Sequence, residues 1–462
     1  MIRAIVMSLA LSGASVLSSA PGPLTLEGVL ESVDAHHPKL DSEARLRDAA
    51  EAKQQGARGN WDPKLSVYGK WVPLGYYRTG QVDTVVRQST PLWGVGVFAG
   101  YRLGQGDFAV YKGEYETGNL GELRAGLDVP IFRDGPIDEG RADIQRSEHL
   151  LDAAECSVAA TRLGLRRDAA TAYWKWAAAG RKVDIQGTLL ATAEARDLAI
   201  RERVRQGSAP DILVVDNERL ILDRRAKLIA ARRSFNERAV DLSLYLRDED
   251  KTPVVAPEGQ LPPLSSQLER PVLPPESYDL SRAIVTRPEL CEILGERSAA
   301  EVDLRLAKNR VAPELRVSGY VARDLGDTPT ELAPTELVTG VTLSMPLALR
   351  KARGELRAAR AKLASVDAKL RGLQDKIGAQ VRRARVDLIA AFEQLQIATR
   401  QAQVARQLAD AEREKLDEGA SDLVILNIRE LAAADAENLE VEAILRYRIA
   451  EADYRQALGD LG

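Results

Sequence analysis

A seven-residue apolar repeat near the end of the chain constrains the fold more than any other feature. Between residues 354 and 416, apolar side chains recur in two stretches with this spacing, and others lie between them. They are Leu356, Leu363, Leu370 and Ile377, with Val366 and Leu373 between, then Leu388, Leu395, Ala402 and Ala409. This period is typical of coiled-coil packing. A helix of about 65 residues is roughly 100 Å long, so the sequence predicts a wall of long helices rather than a rounded core.

Shorter helices are predicted on either side of this one and of a second long helix. The second long helix covers residues 139–205, which are similarly rich in alanine and charge. The short helices cover residues 24–60, 212–247, 280–310 and 423–458. Each is near half the length of a long helix, so two of them stacked end to end match one long helix. The chain is therefore predicted to supply four helical columns of equal height.

An internal duplication explains why the columns come in pairs. A His-Pro-Lys-Leu motif at residues 37–40 is followed, 25 residues after its proline, by a Pro-Lys-Leu motif that begins at Pro63. An Arg-Pro-Glu-Leu motif at residues 287–290 is followed at the same spacing by a Pro-Glu-Leu motif that begins at Pro313. The two copies are offset by 250 residues. Repeats of this kind indicate two structural units of the same element order.

A second correspondence between the units lies further along the chain. Gly207 is followed by Asp211, and Gly419 is followed by Asp422. Each glycine is predicted to form a tight turn after a long helix, and each Asp to cap the next helix. The predicted organisation is a first structural repeat at residues 21–250, a Pro-rich linker at 251–279 and a second structural repeat at 280–462.

Between the short and the long helices, the period of the apolar residues changes to two. Four runs alternate apolar and polar side chains: residues 63–77, 121–131, 313–325 and 336–348. Prolines mark the junctions between these strands and the helices: Pro63, Pro130, Pro313 and Pro346. The runs are about as long as the tilted strands that cross a bilayer. The edge of a soluble β-sandwich is the alternative, but the regular charges on the other face argue against it.

Residues 78–120 form an insert that the second unit lacks. Eleven of the 22 aromatic residues lie between Trp61 and Tyr115. Such crowding is typical of an aromatic girdle at a membrane interface together with an exposed loop. Two interpretations of the insert stay open, an extracellular loop and an extra hairpin.

Four strands are too few to close a membrane barrel. The smallest such barrels have eight strands, and open sheet edges are not tolerated in lipid. A barrel must therefore be shared between several copies of the chain, which predicts a ring.

The N-terminus and the cysteines indicate the compartment. Residues 1–20 have the pattern of a secretory signal peptide, with Arg3 before an apolar stretch and small residues at the end. A buried first helix is the alternative. Cys156 and Cys291 both fall in predicted helices, where we expect two separate buried thiols rather than a disulfide.

Several functional classes are disfavoured by composition. A net charge of −4 gives no basic surface for nucleic acid. His36 and His37 are adjacent and point in different directions on a helix, so they form no metal site. No Gly-rich phosphate loop or nucleophile motif is present. We therefore expect no enzyme activity, no cofactor and no metal.

Taken together, these motifs resemble those of the TolC-like outer membrane efflux proteins. The matching segments are residues 24–27 with 37–40, the strand entry at 62–67, the Gly-Leu-Asp-Val-Pro run at 126–130 and the two glycine turns. The resemblance covers nearly the whole mature chain. It implies a mainly α fold with membrane β-strands: a trimer whose long α-helical barrel crosses the periplasm and continues into a shared 12-stranded β-barrel in the outer membrane.

The resemblance also implies a function and partners. The protein would be the exit duct of a tripartite efflux or secretion system, a passive conduit for substrates driven by an inner-membrane pump. Its partners would be two further copies of itself, a periplasmic adaptor protein, an inner-membrane transporter of the RND or ABC type, and outer-membrane lipid. A periplasmic adaptor and a structural coiled-coil protein are the alternatives, but an adaptor has one helical hairpin, and a coiled coil leaves the strands unexplained.

In the family, the helix turns form the periplasmic tip, where the adaptor docks. This places residues 203–216 and 414–427 at the tip. The candidates for docking and for the aperture are Gly207, Asp211, Asp216, Gly419, Asp422, Ile425 and Ile428. The sequence departs from the family because Ile425 and Ile428 stand near positions where members often have a ring of Asp. For Asp211 and Asp422, capping a helix is the alternative role.

Overall fold

The computed structural model describes residues 22–327 and 335–460, apart from the side chains of residues 111, 113 and 114. The predicted signal peptide, residues 1–20, lies outside the described residues. The helices of the described part are α1 Leu26–His36, α2 Pro38–Arg58, α3 Glu139–Arg205, α4 Ile212–Ser243, α5 Glu276–Thr286, α6 Pro288–Asn309, α7 Arg350–Asp417 and α8 Leu423–Ala457. Its strands are β1 Lys64–Val72, β2 Thr79–Ser89, β3 Gly96–Gly106, β4 Glu122–Pro130, β5 Glu314–Asp324 and β6 Glu336–Ser344.

The seven-residue repeat forms the buried face of α7. The residues of its second stretch, Leu388, Leu395, Ala402 and Ala409, are all buried, as are Val366 and Ile377. This face packs against α5, α6 and α8. Small alanines at many of these positions allow the helix axes to approach closely, and the charged residues between them lie in solvent.

Each of the two predicted N-terminal helices is divided at a proline. In place of one helix over residues 24–60 the structure has α1 and α2, and in place of one over 280–310 it has α5 and α6. The residues before the two prolines, His37 and Arg287, are extended, with φ/ψ of −75/122° and −70/118°. The predictions of single helices were wrong at these points because a proline disfavours the helical conformation in the residue before it.

The short helices stack end to end, as the lengths predicted. The Arg247 N–H, just beyond α4, donates to Ser32 Oγ of α1 at 2.8 Å, and the Tyr245 ring stacks on that of His37 at 5.9 Å. In the second half, Arg287 Nη1 donates to the carbonyl of Gln456 in α8 at 3.1 Å. The two junctions therefore join α4 to α1 and α2 along α3, and α8 to α5 and α6 along α7.

The proline-rich segment between α4 and α5 packs on the helices over part of its length. Leu264, Leu268 and Leu273 pack against a cluster of buried side chains from α7 and α8. Leu261 packs against α3 at Gly180, where a Cβ atom would lie 2.5 Å from the leucine side chain. The segment therefore ties the two halves of the chain together.

A disulfide bond also joins the halves. Cys156 of α3 is bonded to Cys291 of α6, with the two Cα atoms 5.8 Å apart. One turn from Cys291, Gly295 lies so close to α3 that a Cβ atom would be 2.8 Å from that of Ala153. The prediction of two separate thiols was wrong because the sequence alone did not show that α3 and α6 pack at close range.

The strands form one antiparallel sheet in the order β1-β2-β3-β4-β5-β6. The prediction of four strands was wrong, because the insert contributes a hairpin, β2 and β3, that enters the sheet between β1 and β4. The 12-stranded barrel that the resemblance implies would take four strands from each of three copies, two fewer than the sheet contains. The alternation of apolar and polar residues was not visible in the sequence of β3, because glycines stand at positions 100 and 104, where polar side chains would have shown it. Of the two open interpretations of the insert, the extra hairpin is confirmed.

The two faces of the sheet differ in polarity. One face carries exposed apolar side chains on every strand: Leu65, Val67, Trp71, Val82, Val86, Val97, Tyr101, Leu123, Leu127, Val317, Val321, Leu337, Val341 and Leu343. The opposite face carries an ion-pair network in which Arg102 Nη2 lies 3.6 Å from Asp83 and Nη1 lies 3.8 Å from Glu122. Arg124 also pairs with Asp83. The charged residues of the strands thus lie on this second face, except Arg323, which is paired with Leu123 at the end of the sheet away from the helices.

Candidate functional site at the helical tip

The two predicted glycine turns have the same backbone geometry. Gly207 and Gly419 have φ values of +70° and +76°, in the left-handed region that glycine adopts without strain. In each turn, two N–H groups donate to the last helical carbonyls: Ser208 to Arg203 at 2.9 Å and Gly207 to Val204 at 3.0 Å after α3, and Ala420 to Lys415 at 2.8 Å and Gly419 to Leu416 at 3.1 Å after α7. Both turns are Schellman motifs, which satisfy the helix carbonyls and reverse the chain.

The aspartates after the two glycines play different roles. Asp422 is extended, with φ/ψ of −118/165°, and its carboxylate accepts from the Ile425 N–H at 2.9 Å. Asp211 has helical values, −56/−29°, and makes no capping hydrogen bond. The capping prediction is therefore confirmed for Asp422 and wrong for Asp211. A side-chain cap needs an extended backbone at the capping residue, and the turn after Pro210 already brings Asp211 into the helical region.

The remaining aperture candidates lie at the surface of the protomer. Asp216 is exposed, with one carboxylate oxygen 3.8 Å from Arg219 Nε. Ile425 and Ile428 are 40% and 59% exposed. Asp216 and Ile428 line the same cavity of about 300 Å³ between α4 and α8. Their place in an aperture stays a prediction.

The two glycine turns of the tip enclose a larger cavity of about 660 Å³. Arg196 and Arg203 of α3 and Arg413 of α7 line it, together with the carboxylates of Asp417 and Asp422. Its apolar lining comes from Ile200, Leu213, Leu416, Leu423 and Leu426. The cavity thus lies between the turn that joins α3 to α4 and the turn that joins α7 to α8, and is lined by both charged and apolar side chains.

A buried glutamate behind this cavity is the feature that sequence reasoning missed. Glu430 of α8 accepts from Arg224 of α4 at 3.1 Å and from Arg196 of α3, and Arg413 of α7 lies 3.6 Å away. Arg224 also donates to the Leu189 carbonyl at 2.7 Å. All four helices of the tip therefore meet at one carboxylate. No local motif in the sequence distinguishes this glutamate from the exposed ones.

A second polar contact joins α3 to α4 at the tip. Asp197 accepts from Arg201 Nε at 2.5 Å and from the buried Asn217 amide at 3.0 Å. The hydrogen bond from Arg201 lowers the pKa of Asp197, and that from Asn217 acts in the same direction. The carboxylate therefore stays ionised at the tip.

Two features are absent from the described residues. Within residues 22–327 and 335–460, no group of three or more His, Cys, Asp or Glu is arranged to hold a metal ion. The helices in the described part of the chain include none with a stretch long and apolar enough to pass through a membrane.

Comparisons with known proteins identify the fold. Residues 280–460 match the family model described as outer membrane efflux protein. No curated protein matches the chain in sequence.

Solved structures are similar over nearly the whole chain. The outer-membrane channel OprN has a TM-score of 0.67 at 16% identity, over 94% of this chain and 90% of that one. The Campylobacter jejuni outer membrane channel CmeC has 0.65 at 12%, over 99% and 94%. The Neisseria gonorrhoeae outer membrane channel MtrE, in its open state, has 0.64 at 17%, over 94% and 89%. The resemblance to the outer membrane efflux proteins that the sequence predicted is thereby confirmed, by the match of residues 280–460 to the family model and by a fold shared with solved outer-membrane channels.

Proposed function

We propose that the protein is the outer-membrane channel of a tripartite efflux or secretion system, a passive duct that spans the outer membrane and extends into the periplasm. The observation that carries the proposal is the sheet at one end of the helical columns. Its one apolar face is exposed on every strand, and within the described residues its two outermost strands, β1 and β6, are each paired on one side only. In lipid, such a sheet is stable only when its edges are paired.

The aromatic residues support this orientation. Trp71, Tyr76 and Tyr77 are exposed at the end of the sheet away from the helices, and Trp93 is exposed at the end beside them. Aromatic side chains at both ends of an apolar band are typical of membrane-spanning sheets. The sheet would thus occupy the bilayer, and the columns, each roughly 100 Å long at 1.5 Å per residue, would cross the periplasm.

Two exposed apolar stripes on the helices support an assembly of three copies. Val215, Leu222 and Ile229 recur every seven residues on α4 and are 57% to 64% exposed. Ile397, Val404 and Leu408 form a second exposed stripe on α7. Narrow apolar stripes of this kind are the surfaces on which further helices pack in a coiled coil. A homotrimer would cover them by packing α4 of one copy against α7 of the next.

The tip is where an adaptor protein would dock, and an inner-membrane transporter would supply the energy. The exposed charges beside the two glycines, Arg205 and Lys415, lie on the tip surface. The family match and the shared fold support a channel rather than the alternatives of an adaptor or a structural coiled coil. In this role the chain performs no chemistry, and the exported substrate would pass through water.

The channel function is tested by membrane extraction and by export. We expect a trimer that requires detergent for extraction, dissociates on heating and forms ion channels in planar bilayers. A monomer that is stable in buffer without detergent would contradict the proposal. The tip is tested by the double variant Arg205→Glu, Lys415→Glu, which should abolish export and leave the trimer intact. The matched control is Arg383→Glu, an exposed arginine on α7 beside Asp387 and remote in sequence from the turn, which should export normally.

A further inference from the structure

The hairpin formed by β2 and β3 spans the same layer as the other strands. β1 pairs with β2 from Lys64↔Arg87 to Val72↔Thr79, which is the whole of β1. β3 pairs with β4 from Gly96↔Asp128 to Arg102↔Glu122. The hairpin is therefore in register with the whole of β1 and with all but the last two residues of β4, and it does not project beyond the sheet.

The turn of this hairpin lies at the helical end of the sheet. The Gln88 side chain donates to the carbonyl of Trp61, just before β1. Gly94 has φ of +68° and lies so close to the Asp134 carbonyl, beyond β4, that a Cβ atom would collide with it. The hairpin thus runs from one end of the sheet to the other and back.

The side chains of the hairpin continue both faces of the sheet. Val86 of β2 lies opposite Leu65 of β1 and Ala99 of β3, all on the apolar face. Val82 and Val86 are each 44% exposed, and Leu123 and Leu127 of β4 are similarly exposed at 52% and 46%. Asp83 and Arg102 lie on the opposite, charged face. Since charges are costly in the bilayer, the apolar face of the hairpin faces lipid.

The segment between β3 and β4 covers the charged face. The Thr117 hydroxyl donates to the carbonyl of Gly104 at 3.2 Å and accepts from its N–H at 3.0 Å. The Arg102 guanidinium lies over the Tyr115 ring, 5.3 Å from its centroid. A Cβ atom on Gly104 would collide with the Tyr115 carbonyl. Residues 107–121 therefore pack against the side of the sheet that faces away from lipid.

We propose that the barrel of the assembled channel has eighteen strands, six from each of three copies, and that residues 107–121 lie inside it and narrow it. The inference rests on the proposed channel function. β1 and β5 run away from the helices, and β6 runs back, so β6 of one copy and β1 of the next can pair antiparallel.

The strand number sets the width of the passage. Barrel diameter grows roughly in proportion to strand number, so eighteen strands give a barrel about 1.5 times as wide as twelve. Barrels of 16 to 18 strands enclose an aqueous channel rather than a core filled by side chains. A segment packed on the inner face would then set the narrowest point within the membrane.

The position of the hairpin is tested by spin labels on single cysteines. The two native cysteines form a disulfide bond with each other and therefore do not react with the spin label. Val86→Cys and Leu103→Cys place labels on the apolar face of the hairpin, Gln81→Cys places one on its charged face, and Leu337→Cys is the matched control on β6. In phospholipid vesicles, labels at 86, 103 and 337 should be relaxed by oxygen, and the label at 81 by an aqueous nickel chelate.

The two ways of failing are distinct. If the labels at 86 and 103 are exposed to the nickel chelate while the label at 337 stays in lipid, the hairpin is outside the wall and the eighteen-stranded barrel is overturned, although the channel stands. If the label at 337 is also exposed to the chelate, the sheet is not in the membrane and the proposed function fails as well.

The position of residues 107–121 is tested by single-channel recording. Glu116→Cys places a thiol on the exposed side of the segment, and Arg270→Cys is a control in the linker between the repeats. A bulky aqueous thiol reagent should lower the single-channel current of the variant at 116 and leave that of the variant at 270 unchanged. An unchanged current after labelling at 116, with the modification verified by mass spectrometry, would overturn the inward position of the segment.

Discussion

Arg224 of α4 and Glu430 of α8 form an ion pair with both side chains 4% exposed and Nη2 3.1 Å from Oε2. The two residues are 206 positions apart in the sequence, so the pair joins the two halves of the chain at the tip. Arg196 shares the same carboxylate. A buried charge of this kind is tolerated only while its partners are in place.

Neutralising Glu430 should therefore destabilise the protein. In Glu430→Gln, the arginines Arg224 and Arg196 remain without their carboxylate, and we expect a loss of about 3–5 kcal/mol, the usual cost of breaking a buried pair. The matched control is Glu442→Gln, which removes a half-exposed partner of Lys182 and should cost about 1 kcal/mol or less. Thermal unfolding followed by circular dichroism measures both. Equal melting temperatures for the two variants would contradict the prediction.

The disulfide bond between Cys156 and Cys291 should stabilise the contact between α3 and α6. It closes a loop of 135 residues and so restricts the conformations that the unfolded chain can adopt. Replacing both cysteines by serine should cost about 2–5 kcal/mol. Reduction of the native protein should lower its melting temperature, and the same reductant should not change that of the double variant. A native protein whose thiols are freely titrated under oxidising conditions would contradict the bond.

His37 should make the junction between α4 and α2 sensitive to pH. Burial lowers the pKa of His37, with further effects from Arg247 and Lys39, so the folded protein favours the neutral ring. Nδ1 accepts from the Lys39 N–H at 3.2 Å and caps α2, and the ring stacks on Tyr245. The stabilisation is present above the unfolded pKa of about 6.5 and is lost as the pH falls below it, because the unfolded chain then binds the proton first.

The measurement is the melting temperature between pH 8 and pH 5. His37→Asn keeps a capping side chain that does not titrate. The melting temperature of His37→Asn should fall less below pH 6.5 than that of the unchanged protein, whereas the melting temperature of His149→Asn should fall as much. A decline that is identical in all three proteins would show that another group is responsible.

The sequence predicted the helical columns better than the sheet, because the helical period is repeated over many turns and the strand period over only a few residues. Leu388, Leu395, Ala402 and Ala409 form one buried line because many turns repeat one period. β3 has only a few residues on each face, and glycine occupies four of the six positions on its charged face, residues 96, 100, 104 and 106. The pairing of Cys156 with Cys291 and of Arg224 with Glu430 depends on contacts between distant segments, which periodicity does not define.

The site could be predicted only as far as local chemistry determines it. Gly207 and Gly419 were recognisable because a Schellman turn favours glycine. Asp211 and Asp422 look equivalent in the sequence, but only one of them has the extended backbone that a cap requires.

The stripe on α4 should hold neighbouring copies together. Ile229 is 64% exposed in the protomer and stands in the seven-residue series with Leu222. Ile229→Glu would place a charge in a seam between copies, so the trimer should dissociate at a lower temperature or detergent concentration. The matched control, Arg238→Glu, changes a 43% exposed side chain on the opposite side of α4 from Ile229. A trimer that is as stable in the first variant as in the second would place the seam elsewhere.

The two aspartates of the tip offer an internal comparison of one substitution at matched positions. Asp422→Ala removes the hydrogen bond to the Ile425 N–H and should weaken the first turn of α8 by about 0.5–2 kcal/mol. Asp211→Ala removes no capping bond from α4, so its first turn should be unchanged. Hydrogen exchange resolves the effect because it reports each turn separately from global unfolding. Faster exchange should be confined to the amides that follow residue 422, and equal acceleration in both turns would show that the aspartates have the same role after all.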